Sequence, residues 1–393
     1  MVQHCAVAVN AISLYRTGHA IRFHDIDALE GKSLAQKVIV LGAGIIGAAA
    51  AYRLQTQGAN VTVVHDGAMR STDASFGWIN ASFFLDHTHF RLRLEGIAAW
   101  QRLMAEVALP VRQSGCLCWD VQGDALNEQA KELSALGYPV EIMDQAQFRA
   151  MEPHVANPPD NCLYFPDESA AEAGALADTL LQAAMAAGAT VLSGLRVDGF
   201  LRRGDSIAGV QTQIGPLEAE QVLVAAGTGT QPLMEKLGVH LPLVERPALV
   251  LTTNKISKLV DHVLVSEIGE VKQCADGALM LPVAVGHQSD VADRIDTAPD
   301  LAGDLALQRL QSMFPAVPLS RAGVQLAYRP VPKDGLPVAG AIESGLYVAV
   351  MHSGITLAAI ISELISEEML RGPSDRTQKW LDPYRPERFA IPA

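Results

Sequence analysis

Residues 37–67 read KVIVLGAGIIGAAAAYRLQTQGANVTVVHDG. The apolar run 38–41 has the composition of a central parallel strand, covered on both faces. Gly42-Ala43-Gly44-Ile45-Ile46-Gly47 then fits G-x-G-x-x-G. In that pattern the first glycine permits a tight turn, the second lets backbone approach a pyrophosphate, and the third lets helix pack against strand. An alanine-rich helix over 45–57 follows, closed by Gly58 at a C′ position. Residues 61–64 make a second apolar strand. The glycines therefore open a helix inside one βαβ unit, the context that separates a dinucleotide cradle from a structural turn. The helix N-terminus offers its free N–H groups and positive dipole end to the phosphates.

The tip of the second strand is less regular. A dinucleotide site places a carboxylate there to accept a hydrogen bond from the adenosine ribose. His65 stands at that position, and Asp66 lies 24 positions after Gly42, beyond the usual spacing of about 20. Either one of the two contacts the ribose, or His65 is a plain strand end and Asp66 a solvated loop acid. Strand side chains alternate sides, so Asp66 reaches the ribose only where the chain has already turned into loop.

The rest of the chain sets the setting. At 393 residues it is long for one core and implies two domains or an interleaved pair. Hydrophobic residues at 49% and charged residues at 19% make it globular rather than disordered. A net charge of −13 with no basic run speaks against nucleic acid as a partner. The five cysteines are odd in number and scattered; Cys116 and Cys118 lack the second cluster that a metal site needs. They read as free thiols in a reducing, cytoplasmic compartment, with no metal bound. The start lacks the basic stretch and long apolar core of a secretory signal, so none is expected, and there is no run of 18 apolar residues. The fold begins near Lys37, which leaves 1–35 as an N-terminal extension, disordered or the product of a start codon placed too early.

Periodicity predicts a helix over 89–107 with Phe90, Leu94, Ile97, Met104 and Val107 on one face. A less regular part follows, with strand signals at 115–121 and 161–165. A helix from 173, with Leu176, Leu180 and Ala184 on one face, ends at Gly188. Strands then follow at 190–194, 209–214 and 221–227. Mixed strands dominate 241–326 around a helix at 301–313. The last helix runs over 355–370 and stops at Gly372-Pro373. The pattern is α/β: a Rossmann-like nucleotide-binding domain interleaved with a β-rich domain of antiparallel sheet plus helices.

Residues 329–340 read RPVPKDGLPVAG and residues 345–358 read GLYVAVMHSGITLA. Together with the glycine motif, these resemble the D-amino-acid oxidase family of FAD-dependent oxidoreductases. That family includes glycine oxidase, sarcosine oxidase and D-amino-acid dehydrogenases of the small-subunit type. The resemblance spans about 36–390 in the same order and takes in AEAGALADTLLQAAMAAGATVLSG at 171–194, VLVAAG at 222–227 and LDPYRPERF at 381–389.

The resemblance implies FAD as cofactor, held by Gly42, Gly44, Ile45, Ile46 and Gly47. It implies that Ser71, Thr72, Ser75 and Gly77 lie in the loop under the pyrophosphate and flavin. It also implies that Val197 meets adenine through its main chain and that Gly227 is close to the pyrophosphate. Gly354, Ile355 and Thr356 would turn their N–H groups to the flavin N1–C2 edge, at a helix start that favours reduced flavin. Arg329 would grip the substrate carboxylate, a task suited to a planar, permanently charged fork. His352 would aid deprotonation or sit near the flavin, and Trp78 and Asn80 would shape the pocket.

Departures from the family pattern are His65 in place of the acid, Met351 before His352, and Ala359 for a frequent proline. Covalent members carry a cysteine near Leu326, so the FAD here is expected to be non-covalent. Oxidases of the sarcosine branch keep a flavin-facing lysine; no lysine occurs between Lys272 and Lys333, which weighs against fast reaction with oxygen.

The implied layout is an FAD-binding domain over 36–88, 152–238 and 326–375, a substrate domain over 89–151 and 239–325, and a C-terminal tail at 376–393. The implied activity is oxidation of the C–N bond of a small amino acid or secondary amine bearing a carboxylate. Oxygen, a quinone or an electron-transfer protein is the acceptor. The rival readings are an FAD-dependent 2-hydroxy-acid dehydrogenase, an NAD-linked dehydrogenase, and a flavoprotein subunit of a larger amine dehydrogenase. A homo-oligomer or a subunit of a complex is the expected assembly.

Overall fold

The computed structural model describes residues 13–16, 19–20, 35–285 and 294–389. The remainder of the expected 1–35 extension, Cys5 included, and the last four residues of the tail lie outside the described residues.

The 37–67 segment folds as its pattern requires. Strands Lys37–Leu41 and Asn60–His65 pair in parallel, joined by helix α1, Ile45–Thr56. They are the middle of an eight-stranded sheet. Asn60–His65 pairs onward with Thr190–Ser193, and Lys37–Leu41 with Gln221–Val224 and then Leu346–Val350, all parallel. Val338–Glu343 closes one edge antiparallel. At the other edge Ser13–Arg16 and His19–Ala20 add two antiparallel strands, so part of the expected appendage pairs with the sheet.

The remaining helices, in chain order, are α2 His87–Glu106, α3 Asp124–Ala135, α4 Gln145–Met151, α5 Ala173–Ala186, α6 Thr230–Glu235, α7 Pro299–Met313, α8 Gly354–Arg371 and α9 Asp375–Leu381. Helix α1 is buried all round because Ala48 to Ala51 add almost no bulk, so α5 and α8 both pack on it. Helix α2 crosses α8 closely: a Cβ on Gly96 would sit 2.7 Å from the Thr356 carbonyl oxygen.

A second eight-stranded sheet has the order Arg321–Pro332, Leu243–Thr253, Leu279–Pro282, Gly269–Gln273, Val263–Ser266, Cys116–Cys118, Asn161–Phe165, Glu141–Asp144. All its pairings are antiparallel except Val263–Ser266 with Cys116–Cys118. The fold is thus α/β, a Rossmann-like part interleaved with a β-rich part.

The structure corrects several local expectations. The stretch after 107 carries two helices that its short apolar stripes concealed. Helix α3 buries only Leu126, Ala130 and Leu133. Helix α4 is set by a capping box in which Gln147 N–H donates to Asp144 Oδ1 at 2.8 Å and Asp144 N–H donates to Gln147 Oε1 at 2.9 Å. Helix α8 does stop at Gly372, but α9 follows it, so the described part of the tail, up to 389, carries helical structure. Asn161–Phe165 and most of Arg321–Pro332 belong to the second sheet, while α2 packs on α8, which itself packs on α1. The expected boundaries at 88, 151 and 325 therefore do not follow the sheets. Among the described residues no helix is long and apolar enough to cross a membrane.

Candidate active site

The parallel strands of the first sheet end on one side, and the loops that leave them surround a cavity of about 910 Å³. Leu41, Val64, Ala225 and Val350 mark four of those strand ends on its wall. A crevice beyond the carboxyl ends of parallel strands is where α/β sheets hold ligands.

At its centre lies the glycine turn. Gly42 has φ +109°, and a Cβ there would overlap the Ala225 carbonyl oxygen. A Cβ on Gly47 would overlap the Gly42 carbonyl oxygen, so Gly47 closes the turn from behind and does not line the cavity. Gly44, Ile45 and Ile46 do line it. Helix α1 starts at Gly44 with no side-chain cap and no acid in its first turn, an end prepared for an anion. Ile45 N–H donates to Thr72 Oγ1 at 3.1 Å.

His65 is the last residue of its strand and Asp66 the first beyond it; both reach the cavity wall. Asp66 Oδ1 accepts from Ala68 N–H at 3.0 Å, and His65 Nδ1 accepts from Gly67 N–H at 3.3 Å. Burial lowers the pKa of His65 from its ordinary value, which favours the neutral ring. Val197 and Gly227 line the same end.

The loop after the strand runs along the floor. Ser71, Thr72, Ser75 and Gly77 all face the cavity. Arg70, which sequence reasoning missed, braces this loop: Nη1 donates to the Ala43 carbonyl at 3.0 Å and to Asp178 at 2.8 Å. Ser71 Oγ donates to the carbonyl of Tyr328 at 2.6 Å, tying the loop to the second sheet. Gly77 has φ +72°, and a Cβ there would overlap the Ala171 carbonyl oxygen.

Helix α8 points its start at the same space, where Gly354, Ile355 and Thr356 line the wall. A Cβ on Gly354 would sit 3.6 Å from Ile45 Cγ2, so the N-termini of α1 and α8 meet side by side. The second sheet supplies the far wall. Strand Arg321–Pro332 registers Ala327 against Ala248 and Arg329 against Arg246. Alternation then puts Ala327 and Arg329 on one face, and both line the cavity. Arg329 Nη2 donates to the Pro247 carbonyl at 3.2 Å, and Nη1 lies 3.5 Å from His352 Nε2.

The structure thus gathers every expected site residue except Gly47 around one cavity. It adds Arg93 of α2, Glu270 of the second sheet and Arg70. Arg93 had a signal: it lies three residues after Phe90 and four before Ile97, on the edge of the apolar stripe of its helix. Trp78 is held by the fully buried Glu168, which accepts from Trp78 Nε1 at 2.9 Å and Tyr138 OH at 2.8 Å. Lys272, just outside the lysine-free interval, is buried behind the floor, with Nζ donating to Ala171 O at 2.6 Å and 5.6 Å from the Phe76 ring.

The donor set fits FAD. The glycine cradle admits backbone only, two helix starts whose N-cap residues make no side-chain cap face one space, and the volume is of the size that cofactor pockets reach. A family model described as FAD dependent oxidoreductase matches residues 37–368. The chain belongs to that family. This FAD dependent oxidoreductase is similar to D-amino acid dehydrogenase of Rhizobium rhizogenes, at 25% identity over 84% of this chain and 96% of that one. It is equally similar, at 25%, to the hydrogen cyanide synthase subunit HcnC of Pseudomonas aeruginosa, over 90% of this chain and 97% of that one. Its fold matches glycine oxidase of Geobacillus kaustophilus with a TM-score of 0.78 and 22% identity, over 91% of this chain and all of the other.

Proposed function

We propose that this oxidoreductase oxidises the C–N bond of a small amino acid or secondary amine bearing a carboxylate. The observation that carries the reading is the placement of Arg329, a cationic fork that the second sheet contributes to the cavity wall, beside His352. The D-amino acid dehydrogenase relative supports the substrate class. When bound, non-covalent FAD supplies a hydride acceptor, chemistry that no side chain offers.

The residues divide the remaining work. The Gly42–Gly47 turn and the start of α1 hold the pyrophosphate, with Ser71, Thr72, Ser75 and Gly77 beneath. Asp66 or His65 holds the ribose, and Val197 and Gly227 border the adenosine end. Arg329 pairs with the substrate carboxylate and so fixes which C–H faces the start of α8 at Gly354, Ile355 and Thr356. Orientation of this kind is a large part of catalysis. His352, next to that arginine, takes a proton from the substrate ammonium.

Anaerobic mixing of the yellow protein with D-amino acids, N-methyl amino acids, proline and 2-hydroxy acids tests the substrate class. Bleaching by an amine is expected; bleaching by hydroxy acids alone overturns it. Arg329→Ala should raise KM by about tenfold to a hundredfold while FAD stays bound, because a charge-assisted pair is lost. Loss of FAD instead would remove Arg329 from this role. The likeness to HcnC favours a second reading for the assembly, in which this chain works as a subunit. A purified chain that is reduced by substrate but turns over only with added partner protein would establish it.

A further inference from the structure

Arg93 is a cation buried in the wall of the cofactor cavity. It is 2% exposed, and none of its hydrogen-bond acceptors among the described residues is a carboxylate. Nε donates to the Asn80 carbonyl at 3.1 Å, Nη1 to Ser353 Oγ at 2.9 Å, and Nη2 to Asn80 Oδ1. Burial lowers its pKa to about 10, which leaves it charged at neutral pH. Glu168 offers it a compensating charge through space, but the Glu168 oxygens are engaged by Trp78, Tyr138 and the 81–82 backbone. Burying a charge without a partner costs several kcal/mol, so such a group marks a place where an anion is expected.

A second observation gives the direction. Ser353 is the N-cap residue of α8, yet its hydroxyl accepts from Arg93 and makes no cap. The first N–H groups of α8 stay uncapped, and the guanidinium stands behind them. Together they form a positive pole beside the one at α1. FAD has two anionic regions to match them: the pyrophosphate, and the N1–C2 edge that gains negative charge when the flavin is reduced. The first belongs to α1 by its glycines.

Resting on the FAD site described above, we infer that Arg93, held by Asn80 and Ser353, is the positioning residue whose charge stabilises the reduced N1–C2 edge of the flavin. With FAD bound, a hydride delivered to N5 would bring two electrons and one proton and would leave one negative charge over N1 and the C2 oxygen. Arg93 favours that product and raises the reduction potential without touching the substrate.

Sulfite reads the same charge without turnover. Its lone pair forms an N5–S bond, and the negative charge moves to N1 and the C2 oxygen. Only preparations that stay yellow are used, so absence of FAD speaks to the cofactor site and not to Arg93. In Arg93→Gln the affinity for sulfite should fall about tenfold to a hundredfold, the factor carried by a hydrogen bond to a charged group. The potential should fall with it, while the Kd of acetate, a carboxylate probe for Arg329, stays within about threefold. Arg93→Lys keeps the charge on a shorter reach and should fall between. Unchanged sulfite affinity in both variants overturns the inference. Weakened acetate binding with an unchanged potential also overturns it, and makes Arg93 a substrate anchor. If Arg93→Gln loses FAD, Arg93→Lys decides alone: sulfite affinity must drop by at least about threefold, and an unchanged value sinks the proposal.

Discussion

Asp66 shows how one residue step decides a role. His65 still belongs to the strand, so its ring is fixed by the pleat, whereas Asp66 lies past the last paired residue and can turn. Asp66 Oδ1 already holds the turn through Ala68 N–H, which leaves Oδ2 to meet a ribose hydroxyl. Asp66→Ala should weaken FAD by about tenfold in fluorescence titration, and His65→Ala by less than about threefold. Equal losses would assign the ribose to both. A second residue prediction concerns His89, whose pKa is lowered to about 3, first by burial and then by Arg93. The fold favours the neutral ring, so the unfolded chain takes the proton first as pH falls. Stability is therefore complete above about 6.5 and is lost towards pH 3, at up to about 1.4 kcal/mol per pH unit from this group. His89→Asn, which keeps an acceptor for Leu85 N–H, should flatten that slope in denaturant titrations at several pH values. The glycines, Arg329 and His352 were legible because local pattern or motif names them. Arg93 shows in the sequence only as a residue on the edge of an apolar stripe; its task was not legible, because Ser353 lies 260 positions away and only the fold brings them together.

Helix α1 separates two uses of glycine that look identical in a motif. A Cβ on Gly44 would stand 3.3 Å from Thr72 Oγ1, and the backbone there is extended, at φ −71°. A Cβ on Gly47 would overlap backbone. Gly47→Ala should cost about 1–3 kcal/mol of stability and lower Tm even without FAD. Gly44→Ala should leave the Tm of the FAD-free protein nearly unchanged and weaken FAD binding. The reverse pattern would mean that the motif's roles are exchanged here. At this scale the long elements were legible because burial runs along them: α2, α5 and α8 bury long series of residues and α1 is buried all round. Helices α3 and α4 escaped because α3 buries three residues and α4 one, and their starts rest on a glycine and a capping box rather than on hydrophobic period. The D-x-x-Q of α4 was a usable sign.

At the scale of the whole molecule the two eight-stranded sheets share one cavity, and that arrangement was only half legible. The parallel order follows from the βαβ pattern, but membership of the second sheet depends on long-range pairings such as Cys116–Cys118 with Val263–Ser266, which composition does not encode. The expected tail at 376–393 packs against the fold as far as it is described: Arg385 makes two bonds of 2.7 Å to Glu368, which is buried in α8.

The 2.6 Å bond from Ser71 to the Tyr328 carbonyl joins the loop beneath the cofactor to the residue adjoining Arg329. Whatever settles one side orders the other, so cofactor and substrate analogue become reciprocal effectors. Acetate should tighten FAD by about fivefold, and FAD should tighten acetate by the same factor, as linkage demands. Ser71→Ala should bring that ratio towards one even if each Kd shifts, and a ratio unmoved by the substitution would place the coupling elsewhere. A single hydroxyl would then let the enzyme sense, at the substrate anchor, whether its flavin is in place.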